Sequence, residues 1–190
     1  MAEAHAIRAA DHESGPAIEP GRLGVWLFLG SEVLLFAGLI GSYLFLRTGS
    51  REFPAPGGEL DRLAVAFNSA LLVASSFTVT RAVKPGAPGR RALWLFVTLV
   101  LGAIFLALQA HEYTGLVEHG ILPRTNLYWS CFFVLTGVHG LHVFGGLVAL
   151  AFTGPRAIHG RPGIAFELAS LYWHFVDVVW ILLFTLLYLL

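Results

Sequence analysis

The chain has 190 residues, is 56% hydrophobic and only 13% charged, and its twelve basic residues balance twelve acidic ones. A soluble domain carries about 25% charged residues; this composition, with a mean hydropathy of +0.72, places the chain among membrane proteins. Zero net charge offers no basic patch for nucleic acid, and the single cysteine, Cys131, cannot form an intrachain disulfide and reads as a small core residue.

The first 22 residues are polar, with Glu3, Arg8, Asp11, Glu13 and Glu19. They lack the apolar core of a signal peptide and read as a cytoplasmic tail. A bilayer core of about 30 Å asks for about 20 apolar residues per helix. Five segments meet or approach that length, at residues 23–46, 63–80, 92–110, 127–152 and 168–190. They predict an all-α integral membrane bundle of five transmembrane helices, forming one domain over residues 23–190. The second segment is the most polar, with Asn68, Ser69, Ser75, Ser76, Thr78 and Thr80. Its Ala66, Ala70 and Ala74 make a small-residue stripe of the kind that lets helix backbones approach in lipid, so it reads as buried among the others. All nine prolines fall outside these spans, as helix-breaking residues should. The stretches EFPAPGGELD and KPGAPGR read as turns, and no internal repeat is present.

Lysine and arginine set the orientation. The tail and the second and fourth connections hold eight of them, including Arg22, Arg81, Lys84, Arg90, Arg91 and Arg156; the other side holds four. This predicts a cytoplasmic N-terminus and an outer C-terminus.

An ionisable side chain at membrane depth costs at least ~2.5–3.5 kcal/mol on insertion scales, so such residues normally face protein and find partners. Here they are Glu32, His139, His142, His174 and Asp177, with Glu167 at the start of the last span. Counting about 1.5 Å per residue from the span ends puts Glu32, His142 and Asp177 at one level, roughly 14–15 Å from the cytoplasmic boundary. This predicts a buried polar cluster in which Glu32 meets His142 or Asp177 pairs with a histidine. A proton-active or lipid-headgroup role for Glu32 competes with a structural hydrogen bond, which is the simpler reading. Metal or haem ligation by His139 and His142 would want further converging ligands; satisfied core histidines are the simpler reading. Asn68 and Gln109 are candidates for polar contacts between helices. His5, His12, His111, His119 and His159 lie in the tail, loops or span ends and read as solvated. Glu112 and Glu118, with His111 and His119, read as a polar outer loop. Tyr43, Tyr128, Trp129, Tyr172 and Trp173 lie close to span ends and read as interfacial anchors. No nucleophile–base set, glycine-rich phosphate loop or metal-ligand spacing appears.

Five stretches go further: GVWLFLGSEVLLFAGLIGSYLFLR (24–47), FNSALLVASSFTVT (67–80), LQAHEY (108–113), FFVLTGVHGLHVFGG (132–146) and YWHFVDVVW (172–180). In this order and spacing the chain resembles the cytochrome c oxidase subunit 3 family, subunit III of the haem–copper oxidases, in its short five-helix bacterial form. That form lacks two helices which, in long members, make one wall of a lipid cleft. The resemblance places Glu32 at the family's buried carboxylate and His139 and His142 at its helix-borne histidine pair. Glu167, His174 and Asp177 match its last-helix motif. It implies no catalytic, cofactor-binding or metal residues in this chain, with haem and copper held by subunits I and II. It implies packing on subunit I, contact with subunit II and other oxidase subunits, and bound phospholipid. The expected function is that of a non-catalytic subunit of a proton-pumping terminal oxidase in a bacterial inner membrane, reducing O2 to water and supporting proton uptake and stability. Close alternatives are the corresponding subunit of a quinol oxidase and a homologue associated with nitric oxide reductase. From other classes come a haem b anchor and a proton-coupled transporter with Glu32 and Asp177 as relay groups. Inverted repeats and broken midplane helices, common in transporters, are missing from the sequence.

Overall fold

A computed structural model describes residues 20–50, 53–54, 60–158 and 163–190. The tail as far as residue 19, with His5, Arg8 and His12, lies outside the described residues, as do Arg51, His159 and Arg161. Five helices follow one another: α1 (Pro20–Gly49), α2 (Arg62–Val83), α3 (Pro88–Glu118), α4 (Leu127–Ile158) and α5 (Ile164–Phe184). A wider π turn, Thr185–Leu189, carries α5 on to the C-terminus. Each helix is long and apolar enough to cross a membrane, and no strand occurs among the described residues. The chain is an all-α, multi-pass membrane bundle.

Local chemistry sets the helix ends. Asp61 caps α2, its Oδ1 accepting from the amides of Leu63 and Ala64 at 3.0 and 3.1 Å. Pro88 opens α3 at a position where its missing amide hydrogen is not needed. Gly120 closes α3 with φ of 77°, which a residue bearing a Cβ rarely adopts. The amides of Gly120 and Ile121 turn back to the carbonyls of Val117 and Leu116, both at 2.9 Å.

The helices extend beyond the apolar stretches, and three expectations change with them. Residues 20–22 belong to α1 rather than to the tail. Pro155 lies inside α4, in its last turn, and brings no amide hydrogen for the helix bond to the carbonyl four residues back. Residues 111–118 are helical, so Glu112 and Glu118 stand on α3 and not in a loop. Arg91 is buried in the first turns of α3, its Nε donating to the Ala82 carbonyl at the end of α2 at 3.3 Å.

The core lies among α2, α3, α4 and α5, and Trp173 is its centre. The ring is fully buried between two glycines. A Cβ on Gly102 would lie 2.7 Å from Trp173 Cη2, and one on Gly146 would lie 2.8 Å from Cε3. Only glycine on α3 and α4 leaves this slot open. The indole donates to Ser75 Oγ on α2 at 2.9 Å, and Trp180 donates to Ser69 Oγ at 2.9 Å. Thr78 and Thr98 join α2 to α3 at 2.7 Å. The polar groups of α2 thus find partners on neighbouring helices. In lipid they have no solvent to fall back on, so they turn inward. Val65, Asn68, Leu72, Ser75 and Val79 form the buried face. The stripe of Ala66, Ala70 and Ala74 points outward and is exposed, contrary to expectation. The aromatic residues also depart from their reading. Tyr43, Tyr128, Trp129 and Trp173 are at most 3% exposed and belong to the core rather than to an interfacial belt; only Tyr172 is part-exposed.

Candidate functional site: two buried polar contacts across the helices

α1 presents a narrow seam to the bundle. Leu29, Phe36 and Tyr43, seven residues apart, are its buried positions. Glu32 stands beside this seam and meets α4, with Oε2 2.7 Å from His142 Nε2. The two side chains are 14% and 16% exposed. Phe36 rests its ring on His142, with centroids 5.0 Å apart, and the Tyr172 hydroxyl donates to the His142 carbonyl at 3.3 Å.

The other ring nitrogen fixes the chemistry. His142 Nδ1 lies 2.7 Å from the Val138 carbonyl. A carbonyl only accepts, so Nδ1 carries a hydrogen. One more proton then lies between Nε2 and Glu32. Either a carboxylate faces an imidazolium, or a carboxylic acid donates to a neutral imidazole. The pair has no net charge in either form, which is how two titratable groups are tolerated at membrane depth.

The last-helix motif builds a second contact, between α5 and α2. His174 Nδ1 lies 2.5 Å from Ser76 Oγ, and Nε2 lies 3.3 Å from Thr80 Oγ1. The Thr80 hydroxyl donates to the Ser76 carbonyl at 2.9 Å, so it accepts from Nε2–H. With His174 neutral, Nδ1 is bare and the Ser76 hydroxyl donates to it. Asp177, one turn along α5, is 4% exposed. Neither of its carboxylate oxygens has a hydrogen bond of ordinary geometry, although the Ser76 hydroxyl stands beside it. Ser76 has one proton to give and two acceptors nearby. The single cluster expected from residue counting is therefore two contacts: Glu32 meets His142, while Asp177 turns towards α2 and pairs with no histidine.

His139 separates from its neighbour. It is 1% exposed, stacked on Trp180 with centroids 4.9 Å apart, and edge-on to Phe105. Both its ring nitrogens lack a hydrogen-bond partner, so it is a core histidine but not a satisfied one. Among the described residues no three of His, Cys, Asp and Glu converge as metal ligands would. Glu167 is exposed in the first turn of α5, 3.6 Å from Arg22 of α1. Close to them α1, α4 and α5 enclose a groove of about 630 Å³, lined by Val25, Phe28, Ala149, Leu168 and Tyr172.

Asn68 bridges helices as expected, donating to the Phe105 carbonyl on α3 at 3.3 Å. Gln109 donates within its own helix, to Glu112 Oε2 at 2.9 Å, and the Tyr188 hydroxyl reaches the same oxygen at 3.1 Å. Glu112 is half-buried, and the sequence reading missed its role. The three-residue spacing from Gln109 to Glu112 was the available signal.

Comparison with known proteins fits this geometry. The family model for cytochrome c oxidase subunit III matches residues 8–190. The chain belongs to the cytochrome c oxidase subunit III family. It is 40% identical over 178 residues to cytochrome c oxidase subunit 3 of Thermostichus vulcanus, covering 88% of this chain and 86% of that protein. It is 43% identical over 178 residues to the Synechocystis sp. protein of the same name, covering 88% and 74%. It is 38% identical over 175 residues to that of Bacillus subtilis, covering 88% and 84%. As a subunit III of the haem–copper oxidases, the chain is part of an oxidase complex.

Proposed function

We propose that this chain is the non-catalytic subunit III of a cytochrome c oxidase in a bacterial inner membrane. It packs on subunit I, which with subunit II holds the haem and copper, and it supports the complex's stability, lipid environment and proton uptake. Its N-terminus is cytoplasmic, and Glu32, His142 and Asp177 lie near the membrane midplane. The observation that carries this reading is the closed wiring of Glu32 and His142. Each satisfies the other, Val138 takes the remaining ring hydrogen, and the contact joins α1 to α4 as a structural tie does. The names of the relatives favour cytochrome c over quinol as electron donor.

Gentle solubilisation and affinity capture on this chain provide the test. The expected product is a complex with a haem spectrum, copper and oxygen uptake. A colourless chain recovered alone would overturn the proposal. Within the captured complex, Glu32→Ala should leave the haem spectrum and the initial rate of oxygen uptake largely intact. Loss of the first turnovers would show that Glu32 belongs to the catalytic route.

A further inference from the structure

The contact between α2 and α5 is one proton short of complete. Neither oxygen of Asp177 has a hydrogen-bond partner, and both are sealed from solvent. Among the described residues no lysine, arginine or histidine forms an ion pair with Asp177. On the helices packed against this stretch of α5, Glu32 and His142 bond each other and His139 stacks on Trp180. The Ser76 hydroxyl beside Asp177 gives its single hydrogen to His174 Nδ1 at 2.5 Å. His174 Nε2–H goes to Thr80 Oγ1 at 3.3 Å, and the Thr80 hydroxyl to the Ser76 carbonyl at 2.9 Å. Ser76, Thr80 and His174 are part-exposed along the rim between α2 and α5, whereas Asp177 is buried. A carboxylate here would be an unpaired charge at membrane depth, its neighbour's hydrogen already given away. A carboxylic acid carries no charge and brings its own hydrogen. The terminal torsion of aspartate is soft, so turning the carboxyl aims that O–H at the Ser76 oxygen. Every link then runs in one direction, from Asp177 to Ser76, His174, Thr80 and the Ser76 carbonyl.

We propose that Asp177, Ser76 and His174 form a proton-transfer site, which passes a proton between the sealed carboxyl of Asp177 and the part-exposed ring of His174. Asp177 gives its proton to Ser76 Oγ as the Ser76 hydroxyl gives its own to His174 Nδ1. Asp177 becomes a carboxylate, His174 an imidazolium, and Ser76 keeps one hydrogen, now turned towards Asp177. No electron moves and the net charge stays zero, so neither state leaves an uncompensated charge among the helices. A hydroxyl suits the middle position because it accepts and donates at once. Nε2–H, held by Thr80 at the rim, is the hydrogen that the imidazolium releases outwards. Because the carboxyl is sealed, Ser76 is its route to the surface.

Infrared spectroscopy of the intact complex captured on this chain, moved from H2O to D2O, provides the test. The wild type should show a carboxylic-acid C=O band that Asp177→Asn removes and that shifts as its hydrogen exchanges for deuterium. Ser76→Ala and His174→Leu should each slow that shift about a hundredfold, within the range of a positioned proton-transfer group. Ser76→Thr, which keeps a hydroxyl, should restore it. Absence of such a band, or a shift in Ser76→Ala as fast as in the wild type, would overturn the proposal. Should Asp177→Asn fail to assemble, Asp177→Glu makes the assignment, since it keeps an acid and moves its band. The readout uses no oxygen turnover, so its failure is distinct from failure of the oxidase reading.

Discussion

α1 and α5 are both apolar helices of one bundle, but they are held in different ways. α5 buries nine residues; Trp173 fills the slot between two glycines, and Trp173 and Trp180 each donate to a serine of α2. Among its described side chains, α1 buries only the seam of Leu29, Phe36 and Tyr43. It is fastened instead by polar contacts at three levels. Arg22 reaches Glu167 at one end, Glu32 meets His142 in the middle, and Tyr43 and Arg47 reach the Leu186 and Leu190 carbonyls at the other end. Packing holds the core, and hydrogen bonds hold the flank. In lipid this division makes sense. Apolar side chains gain little by leaving hydrocarbon for a helix surface, whereas a buried polar group has nowhere else to bond.

Substitutions should separate the two regimes. Trp173→Ala should have the largest effect, because it empties the slot between Gly102 and Gly146; large-to-small changes of this kind cost about 3–5 kcal/mol. Thermal unfolding of the whole chain should fall. Glu32→Ala strands His142 without its partner. Truncating one member of a fully buried pair costs about 3–5 kcal/mol, and the partial exposure here brings the figure below that range. The loss should appear as local release of α1, measured by hydrogen exchange, with the unfolding of α3 to α5 little changed. Gly146→Ala adds one methyl against Trp173 Cε3; overpacking costs typically 1–3 kcal/mol, and here the thermal midpoint of the whole bundle should read it. Arg22→Ala removes an exposed pair worth about 0–1 kcal/mol, and its effect on α1 exchange should be close to none. An effect as large as that of Glu32→Ala would show that the exposed ion pair holds α1 as firmly as the buried contact.

The sequence made the five helices legible because length and hydropathy decide whether a segment can span a bilayer. It was less informative about direction. Trp173 and Tyr43 lie close to span ends in the sequence, but which way a ring points depends on the glycines opposite and on the partners in reach. The alanine stripe of α2 failed for the same reason. Its polar residues lie on the opposite side of the helix, and their need for partners outweighed close backbone packing. Helix ends were underestimated where polar residues find protein partners, as Glu112 does with Gln109 and Tyr188. Hydropathy counts such residues as solvent-seeking. Counting depth brought Glu32 to His142, although both helices run on past the apolar stretches used for the count. It could not show that Asp177 faces α2.

Hydrogen exchange of the intact complex, wild type against Glu32→Ala, shows whether the Glu32–His142 contact is what fastens α1 to the bundle. Exchange in α1, around residues 24–40, should quicken, with α4 and α5 protected as before. Unchanged exchange in α1, or an equal rise across all five helices, would contradict that.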